Sequence, residues 1–245
     1  MRYLIILFSA FCLINCNRAK ERNTNKYENS PVKKFKEKKK IAKIETSTPI
    51  DTLEIFKDSL NFGYKKKSKI IIIKIGNEDS TFVHMNLFKK QAGKWIKTDS
   101  LNLENIYFPQ LYTEIKDFNN DGFKDIIFTS GTAMRGGNNI QTLILYSPKS
   151  KSLNWIKNSE DYPNLLYNKK LDCIDSLVLT GGETTYFLKI KNDSLKEFAK
   201  VNHRDGIITS EILESNKKWK VIKSIKDQTR GLKRFIDYNP IEELK

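Results

Sequence analysis

The chain has little of what usually carries chemistry. It holds two histidines and three cysteines in 245 residues. Cysteines at 12, 16 and 173 do not make a disulfide framework. Cys173 stands beside Leu171 and Ile174, the setting of a buried, inert thiol. His84 alternates with Val83 and Met85 and reads as a structural residue on a strand. His203 lies in Asn202-His203-Arg204-Asp205-Gly206, which reads as a turn, either solvated or an exposed binding tip. The motifs His-x-x-x-His, Cys-x-x-Cys and Gly-x-Ser-x-Gly are absent, which leaves zinc and common serine-hydrolase chemistry without support. Gly136-Gly137 and Gly181-Gly182 lack the lysine and Ser/Thr of a phosphate loop. The expectation is a protein that is not an enzyme. A glycosidase would need two of the many carboxylates facing each other in a pocket.

Long apolar runs are also missing. The one apolar stretch follows Arg2 and runs over residues 4–14, too short for a membrane-spanning helix but suited to an export signal. It ends in Leu13-Ile14-Asn15-Cys16, which resembles the lipobox of bacterial lipoproteins. That resemblance implies cleavage after residue 15, a lipidated Cys16, and a protein of the bacterial cell envelope. The body would then face the periplasm or the outer surface, held by acyl chains. The net charge of +15 is uneven: residues 17–45 carry eleven Lys/Arg against four Asp/Glu. This polar stretch, 16–50 with Cys16, reads as a basic flexible tether. The remaining excess reads as a lysine-rich solvated surface, with no specific nucleic-acid signal.

From residue 51 the texture changes to short strands and turns. Residues 70–75, Ile-Ile-Ile-Ile-Lys-Ile, read as a buried strand. Turn chemistry at 76–80 leads to a partner strand over 81–89, and Gly93-Lys94 turns into Trp95. Further strands are expected at 111–116, 126–130, 142–146, 184–191, 195–201, 211–215 and 219–223. The segment 131–139 reads as a long glycine-rich connection. Strands at intervals of about ten residues argue for an all-β fold, a propeller-like or sandwich-like array of antiparallel hairpins. The β domain is expected over 51–227, with 228–245 as a loose or partly helical extension.

Between two of these strands stands Asp117-Phe118-Asn119-Asn120-Asp121-Gly122-Phe123-Lys124-Asp125. Oxygen side chains occupy positions 1, 3, 5 and 9, and glycine position 6, a spacing that suits Ca²⁺. An EF-hand needs flanking helices and a glutamate at position 12, which here is Phe128. The competing reading is a metal-free Asn-Asp-Gly hairpin turn.

The loop between strands resembles the calcium loops of FG-GAP and VCBS-type repeats. The likeness implies Asp117, Asn119, Asp121 and Asp125 as side-chain ligands and Phe123 as a carbonyl ligand. From Glu114 to about Val201 the chain is similar to a propeller-like family of exported bacterial proteins and lipoproteins. The shared features are the calcium hairpin, the glycine-rich loop, Leu143-Ile144-Leu145-Tyr146, the Ser147-Pro148-Lys149 turn and a late tyrosine strand. That family includes an immunity protein that inhibits a lysozyme-like toxin, so the resemblance implies a macromolecule-binding module. Met134, Arg135 and Asn138 are the candidate partner contacts, because arginine and flexible methionine are useful at interfaces. The alternative is a carbohydrate-binding or nutrient-uptake accessory lipoprotein, which would show Trp155, Tyr162 and Tyr167 clustered on one exposed face.

Overall fold

The isoleucine run forms the centre of the first of four antiparallel sheets. A computed structural model describes residues 49–229 and 231–244. The leader, Cys16 and the basic tether up to residue 48 lie outside the described residues. The first sheet is a meander in the order β1-β2-β3-β4, with β1 Asp51–Asp58, β2 Ser68–Gly76, β3 Thr81–Gln91 and β4 Lys94–Asn105. The second sheet follows in the same way, with β5 Glu114–Lys116, β6 Asp125–Ala133, β7 Asn138–Ser147 and β8 Ser152–Ile156. The third has six strands: β9 Leu165–Asn168, β10 Cys173–Leu179, β11 Glu183–Lys191, β12 Ser194–Arg204, β13 Ile207–Leu213 and β14 Trp219–Lys226. β15 Phe235–Tyr238 and β16 Ile241–Glu243 form a two-stranded sheet. No sheet closes on itself, so the architecture is sandwich-like; the described residues contain no α-helix, only two short 3₁₀ turns.

Strand periodicity explains how the sheets stack. Side chains alternate between faces with a period of two. In β2 the inward positions Ile70, Ile72 and Lys74 are fully buried, and Ile71, Ile73 and Ile75 are half-buried on the other face. This strand therefore covers one face, where a continuous apolar run suggests two. β6 and β7 are buried on both faces. Ile126, Phe128, Ile144 and Tyr146 meet Ile70, Ile72, Val83, Met85 and Leu87 of the first sheet. Ile127, Leu143 and Leu145, of opposite parity, meet Leu165, Ile174, Leu188 and Leu195 of the third. Each fully buried aliphatic side chain contributes roughly 1.5–3 kcal/mol, and the middle sheet contributes to two such cores.

Several elements differ from the expectation. β1 lacks an apolar run, yet it pairs along β2 from Asp51–Gly76 to Asp58–Ile70. The segment 131–139 is mostly strand: β6 continues to Ala133 and β7 begins at Asn138, leaving a tight tip. The C-terminal stretch is a β-hairpin and not a loose or helical end. Phe235 is buried against Cys173, Phe187, Ala199 and Val201. Arg234 pairs with buried Asp175 through Nε at 2.7 Å and donates through Nη2 to the Asn164 carbonyl at 2.8 Å. Ser210 Oγ donates to the Tyr238 carbonyl at 2.6 Å.

Candidate functional site

Residues 117–125 join β5 to β6 as a tight loop folded around its own side-chain oxygens. Asp117 Oδ2 accepts from the Gly122 N–H at 3.0 Å, and its Oδ1 from the Asp121 N–H at 3.3 Å. Asn119 Oδ1 also accepts from the Asp121 N–H, and Asn119 Nδ2 donates to Asp121 Oδ2 at 3.0 Å. Asp121 Oδ1 accepts from the Phe123 N–H at 2.9 Å. Short oxygen side chains can hold turns in this way by capturing backbone N–H groups. Gly122 sits at φ +85°, a conformation that side-chain-bearing residues adopt at a cost. This accounts for the glycine at position 6.

Asp125 is placed differently from the other three. It is fully buried, with Oδ2 accepting from the Phe118 N–H at 2.8 Å and Oδ1 from the Tyr146 N–H at 2.9 Å. Position 9 therefore spends both oxygens on backbone, closing the loop and fastening it to β7. Burial pushes this carboxyl up to about 7, and the charges of Asp121 and Asp117 add to the rise.

The residues present fit an oxygen-ligated cation in donor chemistry, since Ca²⁺ takes carboxylate, amide and carbonyl oxygens. The charges of Asp121 and Asp117 add to the burial that disfavours ionisation of Asp125, and a cation would offset them. The side chains that would hold it are Asp117, Asn119, Asp121 and Asp125, whose oxygens each keep a lone pair beyond a single N–H bond. The described residues contain no ready-made group of three or more His, Cys, Asp or Glu side chains arranged to hold a metal ion. Asp125 differs from Asp117, Asn119 and Asp121 in being buried and in bonding the backbone at both ends of the loop.

The loop is also tied to the first sheet. The Gly63 N–H donates to the Lys124 carbonyl at 2.9 Å, and the Tyr64 and Phe123 rings meet edge-on at 4.6 Å. The turn that carries Gly63 is wound around Asp58, whose Oδ1 accepts from the Leu60, Asn61 and Phe62 N–H groups. Phe123 is fixed here through its ring.

The partner candidates divide. Met134 and Arg135 lie exposed at the tip of the β6–β7 hairpin. With Gly136 they form three consecutive residues at positive φ, +51°, +55° and +89°. For methionine and arginine this backbone is strained. Asn138, expected at the contact surface, is only 5 % exposed. Its Nδ2 donates to the Leu179 carbonyl at 3.0 Å, and its Oδ1 accepts from the Leu179 N–H at 2.9 Å. It joins the second sheet to the third and is unavailable to a partner. Asn164 reinforces the joint by donating to the Gly137 and Leu177 carbonyls, each at 2.9 Å.

Other candidates move as well. His203 belongs to β12 and not to a turn; it is nearly buried, 3.0 Å from Glu183 and 3.8 Å from Asp227. Cys173 is buried, and burial pushes its thiol up to about 12, so it is inert as expected. Trp155 packs on the core between the first and second sheets, Tyr162 and Tyr167 on the core between the second and third. The three do not form one exposed aromatic face. The surface feature missed in the sequence is the 106–112 connection, where Phe108 is 72 % and Tyr112 67 % exposed. Its signal was Lys74, a charge at an inward position of an isoleucine strand.

No protein-family model and no curated protein matches the sequence. Among solved structures, a Xanthomonas protein described as related to a type IV secretion system is similar at 11% identity, covering 72% of this chain and all of that one, with a TM-score of 0.42. The chain is an all-β protein by its own sheets, without a family assignment.

Proposed function

We propose that the chain is an exported, lipid-anchored, calcium-binding β protein that binds another macromolecule in the bacterial cell envelope. In its sharpest form it inhibits a cell-wall hydrolase, as the family resemblance of residues 114–201 implies. The observation that carries the binding reading is the β6–β7 tip. Met134 and Arg135 are exposed on strained backbone, and the base beneath them is fastened by Asn138 and Asn164. Strain of about 1–3 kcal/mol per residue persists only where surrounding structure holds it, and such residues cluster at ligand clamps and switches. A rigid tip also loses less entropy on association than a mobile loop. The calcium loop acts as a staple, joining β5, β6 and the Gly63 turn, and is not itself the contact surface.

The test is capture by the purified protein, with Ca²⁺ present, from the culture supernatant of competing bacteria. The expected result is a protein whose peptidoglycan-hydrolysing activity falls when this chain is added. Recovery of glycan alone, or of nothing, contradicts the inhibitor reading.

A glycan-binding reading is favoured by a different feature. An open groove of about 560 Å³ crosses the third sheet, lined in part by Glu183, Thr184, Tyr186, Asn202, Arg204 and Asp205. Sugar hydroxyls both donate and accept, and suit such mixed polar walls beside a tyrosine. Retention on insoluble peptidoglycan that is lost in Tyr186→Ala would support this reading; equal retention of the variant would count against it.

A further inference from the structure

Lys74 is 0 % exposed and shares the inward face of β2 with Ile70 and Ile72. A buried ammonium is costly unless its three donors are met. Nζ donates to the Tyr107 carbonyl at 2.9 Å and to the Pro109 carbonyl at 2.7 Å. It also lies 3.7 Å from Glu54 Oε1. The second oxygen of Glu54 accepts from the Leu111 N–H at 3.1 Å, and the Leu111 carbonyl accepts from the Thr129 N–H at 2.6 Å. One ion pair thus fixes the backbone of the 106–112 connection at residues 107, 109 and 111, between the first and second sheets.

The clamped segment presents apolar side chains outward. Leu111 is its buried anchor, and Ile106, Phe108 and Tyr112 are exposed. The Phe108 ring is braced edge-on by Tyr107 at 4.8 Å. Ile106 lies over Gly131, where its Cδ1 would be 3.7 Å from an added Cβ, three residues along β6 from Met134. The Ile106 end of the connection thus lies against β6, about 10 Å of extended chain from the tip. The Arg135 guanidinium has no hydrogen bond or ion pair among the described residues, and the exposed Glu104 and Glu114 flank the connection.

We propose that the 106–112 connection is a pre-organised docking loop, with Phe108 and Tyr112 as anchors for an apolar pocket on a partner protein that sets a carboxylate against Arg135. This rests on the binding reading above and extends it to a second loop. Exposed aromatics on a fixed backbone give large contact area at low entropic cost, and aromatic anchors dominate binding energy at interfaces. A rim of mixed charge suits a protein surface better than a uniformly anionic bilayer. Lys74 is a positioning residue: it touches no partner and acts through the carbonyls it holds.

The test repeats the supernatant capture with Phe108→Ser, Tyr112→Ser and Lys74→Met, and with Ile207→Ser on the third sheet as a control. Phe108→Ser and Tyr112→Ser are expected to lower recovery of one defined protein by more than about tenfold, as truncated anchors do, with Ile207→Ser equal to the unmodified chain. Lys74→Met is expected to weaken recovery of the same protein while its circular dichroism stays that of the unmodified chain. Equal recovery by the unmodified chain, Phe108→Ser and Tyr112→Ser would overturn the docking loop and leave the binding reading standing. Capture of no protein by the unmodified chain would overturn both. Binding of the unmodified chain to phosphatidylglycerol vesicles that is lost in Phe108→Ser, with protein recovery unchanged, would show a lipid contact and overturn the proposal.

Discussion

Replacing Asn138 with alanine separates a structural role from a contact role most sharply. The side chain makes two hydrogen bonds to Leu179, one to its carbonyl and one from its N–H, while 5 % exposed. Truncation leaves a donor and an acceptor of the backbone without partners at a partly buried joint. Each lost bond is worth about 0.5–1.5 kcal/mol net, and an unsatisfied buried group adds more. The expected loss is about 2–3 kcal/mol. For a domain of this size, 1 kcal/mol moves Tm by about 2–4 °C, so a fall of about 4–12 °C is expected by differential scanning fluorimetry. Arg135→Ala, two turn residues away and exposed, is expected to leave Tm within about 2 °C. Equal melting temperatures for Asn138→Ala and the unmodified chain would refute the joint; the side chain would then be free to act at the surface.

Three further outcomes follow from the site. Calcium at 10 mM, against an affinity of about 1 mM, is expected to stabilise the fold by about 1.4 kcal/mol, a Tm rise of about 3–6 °C that Asp121→Ala removes; identical melting curves in calcium and in EGTA would sink the staple. Gly122→Ala, at φ +85°, is expected to lower stability by about 1 kcal/mol or more in urea unfolding, with no change in m-value. The Cys173 thiol, buried and pushed up to about 12, is expected to resist Ellman's reagent at pH 8 until urea unfolds the chain; fast reaction of the native protein would contradict its burial.

What the sequence made legible was local. Isoleucine and valine runs, Asn-Glu-Asp-Ser and Ala-Gly turns, and the Asp/Asn spacing of residues 117–125 carry their conformations within a few residues. The strands β2, β3, β6, β7, β11, β12 and β14 accordingly fall where they were expected, while β13 begins four residues earlier and ends two residues earlier than expected. What escaped depends on distant chain. β1 has few apolar residues and is defined by the edge it adds to β2. The C-terminal hairpin is defined by Arg234 meeting Asp175, 59 positions back. Asn138 looked like a polar loop residue because its partner, Leu179, is 41 residues away. The spacing of Asp125 could not show that the Tyr146 N–H, 21 positions away, also bonds its carboxylate. Lys74 sat in plain view in the isoleucine run, but only the sheet pairing put it inside, beside Glu54 and the 107–109 carbonyls.

The central claim is that the body binds a protein at the tip of β6–β7 and the loop beside it. Photocrosslinking tests it most directly, with benzoylphenylalanine placed at residue 134 and, separately, at residue 207. The account predicts one crosslinked partner from position 134 in the supernatant of competing bacteria, with calcium present, and none from position 207. A partner crosslinked from 207 and not from 134 would place the interface on the third sheet and contradict the account.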